Sequence, residues 1–476
     1  MTPAARPEAA APDFERARRA VSGLRAEVRE ECEPYREHLW TGRRPGVPTL
    51  QIDDFSALPF LDGVSGVEHY QHRARLRAGD DDLFAAVVPP VDGYEAYCQD
   101  SLGLGRPECL VAEPTAGPLA VAAAVQAGPT GERIAAAARR AGGLDVHPFL
   151  GSETIWTLAG WLARRAGVEV RVLAPPPPVT WRANDKQSFS EIVRRVVGEE
   201  WLVEGEAHRD PAEMAAALRS LAARHPVVAL KRLRCASGLG NATFDAGRLR
   251  GAAAARREVD AFLRRTGWDG REEVQAVAWE SAEHSPSTQV WVPPDGAGDP
   301  RLDGIYEQLL EGERRVFAGS RPSTLPDRVN RWLGRGALEV AAALQSLGYV
   351  GRCSFDHLLV GDPEGDCELR FVECNGRWGG TSLPMHLLDR VLDGGPRPPY
   401  RAQDFVHPGL VGVPFREILE RVGEAGWTRE RREGRYLFYN VGPLAEHGKL
   451  DVLALGADAA DADRALTVDL PRRLGL

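Results

Sequence analysis

Residues 355–382 read FDHLLVGDPEGDCELRFVECNGRWGGTS, and with RCS in front they predict two neighbouring strands, RCSFDHLLV and CELRFVECN. Glu373 and Asn375 are two positions apart, so on a strand they point to the same face. Phe371, Val372 and Cys374 make the rest of that strand apolar. A carboxylate and a carboxamide on a buried strand need partners, because burying a polar group unpaired carries a large free-energy penalty. With Asp356 on the adjacent strand they form a set of hard oxygen ligands suited to Mg²⁺, which binds one or two carboxylates together with substrate phosphates. The competing reading is an edge strand with a solvated face. Gly376, Gly379, Gly380 and Thr381 follow at once, and Arg377 among them is the cation placed to stabilise charge developing in a transition state.

A second stretch, VVALKRLRCASGLGNATF at 227–244, reads as two strands joined by the loop CASGLG. Only three of the 59 basic residues are lysines: Lys186, Lys231 and Lys449. A lysine kept against so strong an arginine bias marks a position that arginine does not fill. Lys231 ends an apolar strand, and Ser237, Gly238 and Gly240 lie in the loop beyond it. Glycines allow positive φ and let backbone N–H groups close on an oxygen-rich anion; an ammonium is a compact point charge that serves phosphate well. The alternative for Lys231 is a strand-end lysine beside a hairpin turn. Lys186, in NDKQSF, is either a surface lysine at a helix start or a second cation on the same polyphosphate. Lys449 falls in EHGKL, read as a turn away from these motifs, where Lys449→Arg is expected to be nearly silent.

The whole chain bounds these readings. Its 476 residues exceed one ordinary core and suggest roughly three domains. With 43% hydrophobic and 27% charged residues the composition is that of a soluble globular protein. No run of ~18 apolar residues predicts a membrane span, and the start, MTPAARPEAAAPDFERARR, lacks the apolar core of a secretory signal and reads as a disordered tip. Seven cysteines without a CxxC spacing argue against a disulfide framework or a zinc site and for a reducing cytoplasm. The net charge of −9, without a basic stripe interleaved with aromatics, makes nucleic acid an unexpected partner.

Periodicity predicts an amphipathic helix over ~13–33. Short buried strands follow at PTLQIDDF (48–55), LFAAVVPP (83–90), ECLVAEP (108–114), LDVHPF (144–149) and VEVRVLAP (168–175), with a helix between the last two. Strands alternating with helices imply a parallel, Rossmann-like sheet, and no GxGxxG follows any of them. APPPPV (174–179) reads as a stiff extended linker and domain boundary. Beyond it, Asn184 or Asp185 caps a helix through Val197. More strand lies within 272–294, and a long helix at 327–347. After Pro398–Pro399 a tail carries strands at GRYLFYNVGP and KLDVLALG and a last helix. There is no internal repeat, no G-x-S-x-G elbow and no Walker A sequence.

In their order these motifs resemble the ATP-grasp enzymes: NDK ending at Lys186, Lys231 with SGLG, a hinge around Trp279–Glu280, Asp356, and Glu373, Asn375 and Arg377 with GGTS. DGVSGVEHYQHRARLR and VVPPVDGYEAYCQDSLGLG, and the tail VGPLAEHGKLDVLALG, are similar to the pre-ATP-grasp (pheganomycin-type) peptide ligases of actinomycetes. The resemblance implies an α/β (α+β) fold. A disordered tip and helix (1–40) would precede a Rossmann-like pre-ATP-grasp domain (41–178), followed by two ATP-grasp lobes (179–270 and 271–398) and a C-terminal region packing on the core (399–476). It further implies ATP and Mg²⁺ as cofactors, small-molecule carboxylate and amine substrates, an ADP-forming ligation and a homodimer. Lys186, Lys231, Ser237, Gly238, Gly240, Trp279 and Glu280 would bind nucleotide, and Asp356, Glu373 and Asn375 the metal. Arg377 and Lys231 would be catalytic, and Arg321, Gly379, Gly380 and Thr381 would face substrate. For Arg321 a surface arginine in a loop is an equal reading, with specificity assigned to loops near 300–325 and 377–386. Two other functions stay open: a phosphotransferase on the same fold and a non-catalytic nucleotide-binding protein.

Overall fold

The apolar runs of the first third of the chain form one parallel sheet: β1 Thr49–Ile52, β2 Leu83–Ala86, β3 Glu108–Val111, β4 Gly143–Pro148 and β5 Glu169–Val172, in the order β3-β2-β1-β4-β5. The structure is a computed structural model and describes residues 11–59, 61, 64–234, 240–280, 282–312 and 316–476. Helices Val121–Ala127, Pro129–Ala141 and Glu153–Ala166 pack on this sheet, with Leu50, Ile52, Leu144, Val146 and Val170 buried. The four residues of β2 are all buried and apolar, while the edge strands β3 and β5 keep exposed positions at Glu108, Val111 and Glu169.

A four-stranded antiparallel sheet follows. Its strands are β6 Gly205–His208, β7 Val227–Arg232, β8 Asn241–Asp245 and β9 Val274–Ala278, in the order β6-β9-β7-β8, and helices Pro211–Ala222 and Ala252–Arg265 share its core. The third sheet has eight strands: β10 Pro286–Val292, β11 Arg301–Glu311, β12 Val316–Pro322, β13 Gly351–Gly361, β14 Cys367–Asn375, β15 Tyr400–Val406, β16 Tyr436–Asn440 and β17 Lys449–Leu455. They are ordered β14-β13-β10-β11-β12-β15-β17-β16. The strands of the tail thus continue the sheet that carries β13 and β14. The long helix Asp327–Ser346 packs against it through Val329, Leu333, Val340 and Leu344. Among the described residues no helix is long and apolar enough to cross a membrane, and all six described cysteines are free thiols.

Several expectations are corrected. The proline run is not an extended linker: Pro175, Pro176 and Pro177 are buried and Pro177 opens the helix Pro177–Asn184. A proline costs nothing at the first helical position, where its missing N–H has no intrahelical partner anyway. The N-terminal helix is broken into Phe14–Ala20 and Arg25–Cys32 by a 3₁₀ turn at Ser22–Leu24, which contains Gly23. The expected loop near 300–325 is largely the β11–β12 hairpin; both faces of β11 are partly covered, so no clean alternation marks it. The tip expected to be disordered, residues 1–10, lies outside the described residues.

Lys449 is corrected too. It is the first residue of β17, 7% exposed, with its ammonium 2.6 Å from Asp404 and 3.0 Å from the Tyr70 hydroxyl. It belongs to a buried ionic seam between the tail and the 3₁₀ segment Val67–Arg77, whose Arg73, Arg75 and Arg77 are each 8% exposed or less. Arg73 pairs with Asp451 of β17 at 2.6 Å, Arg75 forks onto Glu95, and Arg77 reaches Asp53, just beyond β1, at 2.5 Å. Removing one partner of such a pair strands the other charge in a dry interior. Arg73→Met is therefore expected to cost about 3–5 kcal/mol of stability, read as a lower urea midpoint. Arg133→Met, which breaks an exposed pair with Glu108, is expected to leave the midpoint nearly unchanged.

Candidate active site

A cavity of about 270 Å³ lies between the four-stranded and eight-stranded sheets. Lys231, Ala278, Trp279 and Glu280 line it on one side and residues of β10, β13 and β14 on the other. The antiparallel register sets the second wall. Ser287 of β10, Asp356 of β13 and Glu373 of β14 stand side by side, and Gln289, Ser354 and Asn375 form the next row. The Ser287 hydroxyl donates to Asp356 at 2.8 Å and the Asn375 amide donates to its other oxygen at 2.9 Å.

Lys186 enters from the first position of helix Lys186–Val196. Asp185 caps that helix by accepting from the N–H groups of Gln187 and Ser188. The Lys186 ammonium is 3% exposed and lies 3.1 Å from Glu373. Asn184, the other capping candidate, does something else: its Oδ1 accepts from the N–H of Gly376 at 3.0 Å while its amide donates to the carbonyl of Thr180. A Cβ at Gly376 would come 2.7 Å from Asn184 Nδ2, so this close approach requires glycine. Residues 184 and 376, far apart in sequence, thereby clasp the two motifs together.

The electrostatics of the carboxylates diverge. Burial, then the neighbouring charge of Glu373, pushes Asp356 up to about 7. Burial acts on Glu373 in the same direction, but Lys186, followed by Arg377 and Lys231, outweighs it and holds that carboxyl below its usual range. Two facing carboxyls and a carboxamide, one of the carboxyls reluctant to ionise alone, form an oxygen donor set that a divalent cation would relieve. The donor set thus fits Mg²⁺. Lys231 is 9% exposed, with its ammonium 5.3 Å from the centre of the Trp279 ring. Glu280 presents a buried oxygen without a hydrogen-bond partner among the described residues.

Arg377 also faces the cavity. Its guanidinium lies 5.6 Å from the Phe149 ring and donates weakly to the Trp378 carbonyl at 3.5 Å. Among the described residues it makes no ion pair, in contrast to the paired arginines of the seam. Trp378 N–H donates to the carbonyl of Phe149, directly after β4, at 3.1 Å. The order of the parallel sheet reverses between β1 and β4, and the crevice outside such a switch point is where open α/β sheets take ligands. Gly379, Gly380 and Thr381 line the cavity; the Gly379 N–H is held by Ser382 Oγ at 2.7 Å, and Phe317 covers Gly380 so closely that a Cβ there would sit 2.6 Å from its ring.

The remaining candidates divide. Ser237 and Gly238 lie outside the described residues. Gly240 closes the β7–β8 hairpin by accepting from Arg232 N–H at 2.9 Å and does not line the cavity. Arg321 does not line it either: on β12 it is bound to Glu307, opposite on β11, and to Asp463 of the tail, so its charge is already answered. Sequence reasoning missed Ser287, Gln289, Ser354 and Gln308. Polar residues two apart in the otherwise strand-like PSTQVWV were the available signal for the first two.

Comparison with known proteins agrees with this architecture. The sequence profile of the pre-ATP-grasp domain matches residues 71–167. The N5-carboxyaminoimidazole synthase of Aspergillus clavatus, solved with ADP and its aminoimidazole ribonucleotide, superposes with a TM-score of 0.52 at 13% identity, covering 90% of this chain and 99% of that one. The biotin carboxylase domain dimer of the Hydrogenobacter thermophilus 2-oxoglutarate carboxylase, solved with MgADP, ADP and bicarbonate, gives 0.52 at 13% identity, covering 88% and 89%. The N5-carboxyaminoimidazole ribonucleotide synthetase of Thermus thermophilus gives 0.50 at 15% identity, covering 90% and 97%. A search of curated protein sequences finds no match. The fold is the one these solved structures share, an architecture of the pre-ATP-grasp plus ATP-grasp kind. More particularly, the stretch that matches the pre-ATP-grasp domain profile, residues 71–167, takes in β2, β3 and β4 of the N-terminal parallel sheet.

Proposed function

We propose that the protein is an ATP- and Mg²⁺-dependent ligase that joins a carboxylate to an amine through an acyl phosphate and releases ADP and phosphate. The observation that carries this reading is the half-buried row Asp356, Glu373 and Asn375 facing two buried lysines, with Arg377, which makes no ion pair among the described residues, at its end. Trp279 and Glu280 at the β9 end of the cavity would take the base and ribose. Lys186 and Lys231 would hold the phosphates, and Asp356, Glu373 and Asn375 would hold the metal. Bound Mg²⁺ supplies positive charge against the phosphate oxygens. Arg377 would steady the oxygens of the transferring group with its planar fork. No covalent nucleophile is required of the protein, because positioning and electrostatics suffice for such transfers. The finer reading, a pheganomycin-type peptide ligase of natural-product biosynthesis acting on amino acids or peptides, rests on the motifs around Tyr70–Arg73 and in the tail, and a cytoplasmic location on the cysteine pattern.

The test is product analysis: protein, ATP and Mg²⁺ with a pool of the twenty common amino acids, followed by mass spectrometry for new amides and a count of ADP. Amide formed one-to-one with ADP supports ligation. ADP with a stable phosphorylated product and no amide would instead establish the phosphotransferase.

This metal assignment implies a pH dependence. Asp356 keeps its proton up to about pH 7 in the metal-free site, and a raised acid pKa means that the ionised, metal-binding form is gained as pH rises. Below about pH 7, Mg²⁺ must displace a proton, so the Mg²⁺ concentration for half-maximal ADP formation is expected to climb toward ~10-fold per pH unit. Mg²⁺ titrations at about pH 6 and pH 8 read this directly; equal midpoints would remove Asp356 from the metal set.

A further inference from the structure

One cavity group is not used by the mechanism above. Gln289 is 1% exposed, and its Oε1 is buried with no hydrogen-bond partner among the described residues. Its other amide atom is committed. Gln289 Nε2 lies 3.2 Å from Ser287 Oγ, and the Ser287 hydroxyl donates to Asp356. A serine oxygen whose proton is given to a carboxylate can only accept from its next neighbour, so the amide must turn its NH₂ toward Ser287. The relay Gln289 to Ser287 to Asp356 thus fixes the orientation of the side chain and leaves Oε1 as a pure acceptor in a dry wall. An orphaned acceptor of this kind is costly until a donor meets it.

The register says where that donor would be. Ser285 immediately precedes β10, Ser287 stands beside Asp356, and Gln289 lies one row further, beside Ser354 and hence Asn375. In chain order Trp279 and Glu280 come before the start of β10, whereas Gln289 lies one row beyond Asp356, and Arg377 follows Asn375 of that same row. A nucleotide with its base at Trp279 and its phosphates at Asp356 and Glu373 would not occupy this row; the amine that attacks the acyl phosphate would.

We propose that Gln289 Oε1 receives an N–H of the attacking amine and thereby selects a neutral primary or secondary amine as the second substrate. This rests on the ligase reading above. A carboxylate here would bind the ammonium form, which has no lone pair. An amide carbonyl near the cations Lys186, Lys231 and Arg377 favours the uncharged amine instead. The amine nitrogen forms the C–N bond while the C–O bond to phosphate breaks with its electron pair on the departing phosphate, which also takes the proton that the amine loses. Gln289 accepts a hydrogen bond throughout and gains no proton.

The experiment uses the full chain, ATP, Mg²⁺ and the pool of twenty amino acids as acids, with hydroxylamine as the probe amine, and measures hydroxamate and ADP together. Gln289→Leu is expected to raise the hydroxylamine KM at least ~10-fold and to lower hydroxamate formed per ADP released. Gln289→Glu is expected to shift the pH–rate profile for the amine step to higher pH, because the carboxylate retains the cationic amine; an effect on packing alone would not move that profile. Hydroxamate per ADP and amine KM unchanged in Gln289→Leu, with an unshifted profile in Gln289→Glu, would overturn the assignment and leave the ligase reading standing. ADP formation by the wild type without any hydroxamate or amide would overturn the ligase reading and this assignment with it.

Discussion

Glu373→Gln is expected to lower Mg²⁺-dependent ADP formation by about three orders of magnitude, equivalent to about 4 kcal/mol of lost transition-state stabilisation, with the fold retained. The substitution keeps the shape of the side chain and removes one negative charge from the row on β14. Glu373 is the more readily ionised of the two facing carboxyls, because the Lys186 ammonium at 3.1 Å, together with Arg377 and Lys231, offsets its burial. Neutralising it removes the carboxylate that is already ionised and leaves Asp356, which ionises only near pH 7, to bind metal with Asn375. Part of the lost rate should therefore return as Mg²⁺ is raised. A purely structural role would show as a lower melting temperature and would not respond to Mg²⁺. Near-normal turnover of Glu373→Gln at low Mg²⁺ would falsify the metal assignment.

Much of this site is legible in the sequence alone. The strand pair at 351–375 and the loop hairpin at 227–245 are local in sequence, and the alternation of a strand puts Glu373 and Asn375 on one face by geometry alone. The parallel sheet is legible because its short strands are rich in buried apolar residues such as Leu50, Ile52, Leu83, Phe84, Leu144, Val146, Val170 and Val172, and helices alternate with them. What is not legible depends on long-range partners. Arg321 reads as available until Glu307 and Asp463 are seen to hold it. The proline run reads as a linker because sequence does not show that Pro175–Pro177 are packed. Asn184 reads as a cap, yet it ties down a glycine 192 residues away. The hairpin β11–β12 escapes notice because its faces are neither clearly buried nor clearly wet.

Lysine rarity is the instructive case, because it points at something true but broader than nucleotide binding. Lys186, Lys231 and Lys449 are all buried, at 3%, 9% and 7% exposure. Lysine persists in this chain where a cation must fit in an interior space and end in a compact head, whether the counter-charge is a ligand or a protein carboxylate. Lys231→Arg and Lys449→Arg are therefore both expected to be felt, but in different observables. Lys231 stands on β7, flanked by β8 and β9 through Asn241 and Gln275, with Trp279 beside its ammonium. Arginine's longer planar head would carry the charge past the phosphate position, so ATP kcat/KM should fall by about 100-fold, or about 2.7 kcal/mol. Lys449→Arg should instead lower the melting temperature, by crowding Asp404 and Tyr70, and leave the ATP KM alone. The silent control becomes Arg256→Lys on the exposed face of helix Ala252–Arg265, where the side chain is 47% exposed. If Lys231→Arg loses stability as Lys449→Arg does but keeps its ATP KM, then burial alone explains every lysine, and the phosphate contact must be assigned to another residue.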